Sequence, residues 1–114
     1  MQIEDVPEST IQRMIDYTAA STNLLRTGRH DFRIPFIVVD EWARKGQCVL
    51  STNRLARDFK STRRTMCASI RRLIEAGVIR EIDRTSDGRP IFEPCLEIGD
   101  TWRAAKEARV NDTH

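Results

Sequence analysis

Thr62-Arg63-Arg64-Thr65 places two hydroxyls and two guanidiniums on four successive residues, and Arg71-Arg72 adds two more guanidiniums two helical turns later. These groups share one class of ligand: phosphate oxygens and the hydrogen-bonding edges of nucleic-acid bases. A guanidinium forks onto guanine O6/N7 or onto a phosphate, and a threonine is short enough to reach a base edge or a thymine methyl. Ala68, between the two arginine pairs, lets a backbone approach closely. Thr52, Asn53 and Arg54 lie just upstream, followed by Lys60-Ser61. The net charge of +2 is small, but its distribution is uneven. Residues 52–72 carry seven basic side chains against Asp58 alone, whereas residues 1–25 carry Glu4, Asp5, Glu8 and Asp16 against Arg13. A polyanion responds to that local field and not to the average.

For this chemistry the donors must stand clear of the core, and the apolar spacing tests whether they do. Met66, Ile70, Leu73 and Ile74 recur at helical intervals. With Met66 at zero on a helical wheel, Arg71, Arg64, Ala68 and Arg72 fall at about 140°, 160°, 200° and 240°, away from the apolar stripe. Thr62 is suited to cap this helix and Gly77 to end it, which predicts a helix over 62–76. Thr62 would also offer free amides and a hydroxyl to a phosphate at the positive helix end.

Other elements must hold that helix. Ser51 or Thr52 is expected to cap a helix carrying Leu55, Ala56 and Phe59. Asp5-Val6-Pro7-Glu8 reads as a helix start with a capping box. Ile11, Met14, Ile15, Thr18, Ala19, Thr22 and Leu25 then predict one amphipathic helix to about Arg26, ahead of Gly28 and a loop over 27–31. Ile34-Pro35 opens a second helix, with Phe36, Val39, Trp42 and Ala43 on one face and Lys45-Gly46 at its end. Cys48-Val49-Leu50 suggests a minimal strand. Segments 78–84 and 89–95 are expected to form a hairpin around Thr85-Ser86-Asp87-Gly88, with Ile82 and Ile91 or Phe92 facing the helices and Arg84 and Arg89 at the tip. Asp100 or Thr101 would cap a short final helix carrying Trp102, Ala105 and Ala108, before a frayed polar end.

The stretch LARDFKSTRRTMCASIRRLIEAGVI resembles, without a gap, the pattern shared by bacterial winged helix-turn-helix regulators of the GntR and MarR type. It is equally similar to the DNA-binding modules of phage and plasmid replication proteins. The matching positions are Leu55-Ala56, Phe59, Thr62-Arg63, Met66, Ile70, Leu73 and Gly77-Val78-Ile79, and the likeness extends over roughly residues 36–95. At the turn, where that pattern has Gly and then an apolar residue, this chain has Lys60-Ser61, and Lys60 would add a phosphate contact. The resemblance implies a mainly α fold with a small β-hairpin wing: a winged helix-turn-helix with extra N-terminal and C-terminal helices. One domain over 1–114 is expected, with a helix in 1–28, a core over 34–95 and a helix and tail over 96–114. The recognition helix 62–76 would enter a major groove and the wing, 84–89, an adjacent minor groove.

This reading gives a sequence-specific binder of double-stranded DNA, most simply a repressor. A plasmid or phage replication, partition or transfer factor recognising repeated sites is the alternative within DNA binding. A winged helix used for protein contact is the alternative outside it. A homodimer is expected because one winged helix has a small footprint, with the N-terminal helix and the Trp102 segment as the interface. No Gly-rich phosphate loop, HExxH or GxSxG appears, so an enzyme is not expected. Cys48, Cys67 and Cys95 are scattered, and with only His30 and His114 to supplement them they read as reduced thiols, with no metal or cofactor. No apolar run approaches the ~20 residues that span a bilayer, and MQIEDVPEST lacks the form of a secretory signal, so a cytoplasmic, nucleoid-associated protein is expected. No polar cluster marks an effector.

Overall fold

The computed structural model describes residues 7–25 and 30–112. The expected Asp5 cap, the end of the first helix at Arg26, most of the loop over 27–31 and the last two residues lie outside them. The elements in chain order are α1 (Glu8–Leu24), a single 3-10 turn (Asp31–Arg33), α2 (Ile34–Lys45), β1 (Cys48–Val49), α3 (Thr52–Asp58), α4 (Arg63–Glu75), β2 (Ile79–Arg84), β3 (Pro90–Pro94) and α5 (Glu97–Asp112). The protein is mainly helical, with one three-stranded antiparallel sheet in the order β1-β3-β2. No helix among the described residues is long and apolar enough to cross a membrane.

Local chemistry fixes the helix ends around residues 50–79. The Ser51 hydroxyl accepts from the Arg54 amide and starts α3, and the Thr62 hydroxyl accepts from the Thr65 amide and starts α4. Both α3 and α4 end in the same motif. Val78 N–H donates to Leu73 C=O at 2.9 Å and Gly77 N–H to Ile74 C=O at 3.0 Å. At the end of α3, Ser61 N–H donates to Ala56 C=O at 2.8 Å and Lys60 N–H to Arg57 C=O at 3.3 Å. These are Schellman caps, which need a left-handed residue. Gly77 supplies it with φ +75°, and Lys60 adopts it with φ +52°.

The core forms where α2, α3 and α4 meet the sheet, around Ile34, Val38, Leu55, Met66, Leu73, Val78 and Phe92. Tyr17 joins it from α1, donating its hydroxyl to the Val78 carbonyl at 2.8 Å. Burial pushes its phenol well above the ordinary range and keeps it neutral.

Several expected placements are corrected. The buried face of α1 is Asp16, Tyr17, Ala20 and Ser21, while Ile11 and Ile15 of the expected stripe are exposed, Ile15 at 54%. The cause is α5, which crosses α1 at Tyr17. A Cβ on Gly99 would stand 2.5 Å from the Tyr17 nitrogen, so only glycine permits that approach. The crossing is closed by Arg13–Asp100 at 2.7 Å and by Arg103 to the buried Asp16 at 2.6 Å. Asp100 therefore pairs with α1 instead of capping, and α5 begins earlier, at Glu97, directly after the Cys95-Leu96 turn.

In α2 the helix stands as expected, but Phe36 is exposed, because Ile34, Pro35, Val38, Val39 and Ala43 form the inward face. Ile74 leaves the expected α4 stripe for the surface, and Ser69 is buried. Ile82 is also exposed, at 47%. Glu81 pairs with Phe92 and Asp83 with Ile91, so Ile82 is the extra residue of a β-bulge and does not follow the in-out alternation.

Candidate nucleic-acid interface

The turn between α3 and α4 and the exposed side of α4 carry the expected donors. Thr62, Arg63, Arg64, Thr65, Cys67 and Arg71 are exposed and Ala68 is half-buried, while Met66, Ser69, Ile70 and Leu73 face inward. The Thr62 hydroxyl proton is used: the group accepts from the Thr65 amide at 3.1 Å and donates to the Thr65 hydroxyl at 2.9 Å. Thr65 retains its own hydroxyl proton for an outside acceptor. The amides of Arg63 and Arg64 lie in the first turn, where no intrahelical carbonyl can reach them. The start of α4 thus offers two amides, one hydroxyl and two guanidiniums in one place.

Which cations are free separates this region from the rest of the molecule. Arg57, Lys60, Arg63, Arg64 and Arg71 make no ion pair, side-chain hydrogen bond or ring contact among the described residues. Among the other described residues, the basic side chains apart from Arg109 have partners. Arg44 meets Asp40 at 2.7 Å, Lys45 meets Glu41 at 3.6 Å, and Arg80 meets Glu93 at 2.6 Å and Glu97 at 3.0 Å. Arg33 lies over the Phe59 ring and Lys106 over Trp102. Arg109 is the one further described cation without a partner. Arg57, exposed next to the turn, is an unpaired cation that the motif pattern does not single out.

Thr52 and Asn53 at the start of α3, Arg63 and Cys67 of α4, and Gly88 and Arg89 of the hairpin border one groove of about 410 Å³. Leu50, Ile70 and Phe92 also line it. Two successive helices and the sequence-distant hairpin therefore meet at one concavity, and the β1–β3 pairing Cys48↔Phe92 fixes their spacing.

Four expected site arginines are engaged differently. Arg54 lines the groove between α2 and α3 and reaches Asp58 at 3.8 Å. Arg72 forms a fork with Asp31, its Nε at 2.6 Å and its Nη2 at 2.9 Å, and Nη2 also reaches the Ser69 hydroxyl at 3.1 Å. On the hairpin, Arg84 meets Glu81 at 3.1 Å and donates to the Gly88 carbonyl at 3.0 Å, and Arg89 meets Asp87 at 3.1 Å. The five-residue loop is further closed by Thr85, which hydrogen-bonds Asp87. Segment 79–90 carries three arginines against Glu81, Asp83 and Asp87, so the hairpin is neutral overall.

Asp31 was absent from the expected site, and no local pattern marks it, since its partner is 41 residues away. Burial alone would raise its carboxyl; Arg72 and Ser69 outweigh that and hold it below the ordinary carboxylate range. Cys48 and Cys95 are buried and Cys67 exposed, all three as free thiols.

Comparisons with protein-family models, with curated proteins and with solved structures give no match to this chain.

Proposed function

We propose that this chain is a sequence-specific double-stranded DNA-binding protein of the winged helix-turn-helix type, acting as a transcriptional regulator. In this reading α2, β1, α3, α4 and the β2–β3 hairpin are the winged core. The start of α4 enters the major groove, with Arg63, Arg64 and Thr65 at base edges and Arg57, Lys60 and Arg71 on phosphates. One observation carries it: five cations without partners lie on α3, the turn and α4, while every other described cation except Arg109 has an acidic or aromatic partner within the fold. Unpaired, exposed guanidiniums are the groups that release DNA counterions on binding. The paired wing arginines supply little net charge, so the hairpin acts as a neutral arm beside the backbone.

The outer face of α1 supports a homodimer. Ile11 and Ile15 are exposed there, and the hydroxyls of Thr18 and Thr22 turn back onto the Ile15 and Thr18 carbonyls, at 2.8 and 2.9 Å. The face therefore presents methyl groups at i, i+4, i+7 and i+11. The Trp102 segment, by contrast, packs on α1 of its own chain.

The test is selection of bound duplexes from a random library, followed by a salt titration on the selected site. A palindrome is expected. Three phosphate contacts per chain give a slope of log K against log[salt] near −2.7 per chain, or about −5.4 for two copies. Failure to bind any duplex at low salt removes the proposal, and tandem direct repeats would favour a replication or partition role.

A further inference from the structure

Resting on that DNA-binding reading, we propose that Asp31 is a specificity-determining residue, which withholds the Arg72 guanidinium from DNA phosphates while bracing α4 against α3. Arg72 is placed to reach DNA. It lies on the ridge of α4 that runs through Thr65 and Ala68, and its side chain is 40% exposed. Asp31 is 1% exposed and takes the guanidinium in a two-bond fork.

The cost of exchange decides which arginines DNA can recruit. A phosphate that captured Arg54 would release Asp58 into water, and such an exposed pair holds little free energy. Capture of Arg72 would strand a carboxylate inside the protein, and breaking one partner out of a buried pair is strongly unfavourable. The Asp31 pair therefore stays closed on DNA.

The brace comes from the same segment. His30 stacks on Phe59 with ring centroids 5.3 Å apart, and the Arg33 guanidinium sits 4.3 Å from that ring. Phe59 ends α3, and Arg72 lies in the last turn of α4. Segment 30–33 thus grips both helices behind the turn. Phosphate attraction supplies essentially all non-specific affinity, so a guanidinium kept out of it lowers background binding without removing a base contact.

The experiment compares the wild type, Asp31→Asn, Arg72→Gln and the double variant in salt titrations on a non-specific duplex and on the selected site. Asp31→Asn should steepen the non-specific slope by about 0.9 per chain and lower the ratio of specific to non-specific affinity. Arg72→Gln alone should leave the slope unchanged, and the double variant should return it to the wild-type value. A purely structural role would change melting temperature and not the slope. An unchanged slope in Asp31→Asn overturns the inference, as does a slope shallower by about 0.9 in Arg72→Gln. If Asp31→Asn does not fold, Asp31→Ser is read in its place, with a slope steeper by about 0.9 expected and an unchanged slope overturning the inference. Wild-type protein that binds no duplex would instead remove the DNA-binding reading itself, a distinct result.

Discussion

Replacing Lys60 by glycine should make the protein more stable and a weaker DNA binder at once. Lys60 holds φ +52° in the cap of α3, the role Gly77 fills in the matching cap of α4. A left-handed conformation costs an L-residue about 1–2 kcal/mol. Glycine is free of that strain but loses roughly 0.5–1 kcal/mol more backbone entropy on folding. The difference leaves a net gain of about 0.5–1 kcal/mol. For a chain of this size that corresponds to a rise in melting temperature of about 2–6 °C. The substitution also removes one of the five unpaired cations, so the salt slope should become shallower by about 0.9 per chain. Thermal unfolding by circular dichroism and fluorescence anisotropy on a labelled duplex read the two effects separately. Lys60→Arg, which keeps charge and backbone strain, should change neither. A lower melting temperature in Lys60→Gly would refute the account of the cap. An unchanged salt slope would refute the phosphate contact.

Three other outcomes follow from the same geometry. Gly99→Ala would drive a methyl to within 2.5–2.8 Å of the α1 backbone, so the helices must part by roughly 1 Å; a loss of about 1–3 kcal/mol is expected in urea unfolding, and a neutral result would contradict the close crossing. Arg84→Ala and Arg89→Ala should leave the salt slope unaltered, because each charge is already balanced by Glu81 or Asp87; a slope shallower by about 0.9 in either variant would put that arginine on DNA. The Arg103 hydrogen bond holds the Asp16 carboxyl below its ordinary range, and the Arg72 and Ser69 bonds hold Asp31 there against the effect of its burial. Both folded values lie below the unfolded ones, so this stabilisation is present in full above about pH 5, and it fades below about pH 4 as the folded carboxylates take up protons. Unfolding free energy measured against pH should show that fall, and Asp31→Asn should flatten it.

Legibility in the sequence followed the range of the forces involved. The caps at Ser51, Thr62 and Gly77 and the Met66-Ile70-Leu73 stripe were readable, because each depends on contacts within one or two helical turns. The buried face of α1 was not. Spacing marks Ile11 and Ile15 as part of an apolar stripe but does not say which residues of α1 meet the core, and that side is set by α5 arriving at Gly99 from the far end of the chain. Ile82 was misplaced because strict alternation holds only for a regular ladder, and the bulge inserts one residue into it. The donors at the start of α4 were identified correctly as exposed. Which of the surrounding arginines were already spent was not visible, since Arg72–Asp31 spans 41 residues while Arg84–Glu81 and Arg89–Asp87 depend on the bend of the hairpin.

The bulge at Ile82 also lies on an edge of the sheet. β2 is an open edge of the sheet, and an open edge invites a strand from another molecule to add to it. Here the invitation is withdrawn three ways. The bulge breaks the even spacing of amides and carbonyls, the strand is six residues long, and four of those six, Arg80, Glu81, Asp83 and Arg84, are charged. A second chain laid along this edge would meet a kinked ladder and charges of both signs. The hairpin can therefore stand out from the fold, next to a ligand surface, without seeding sheet-to-sheet aggregation.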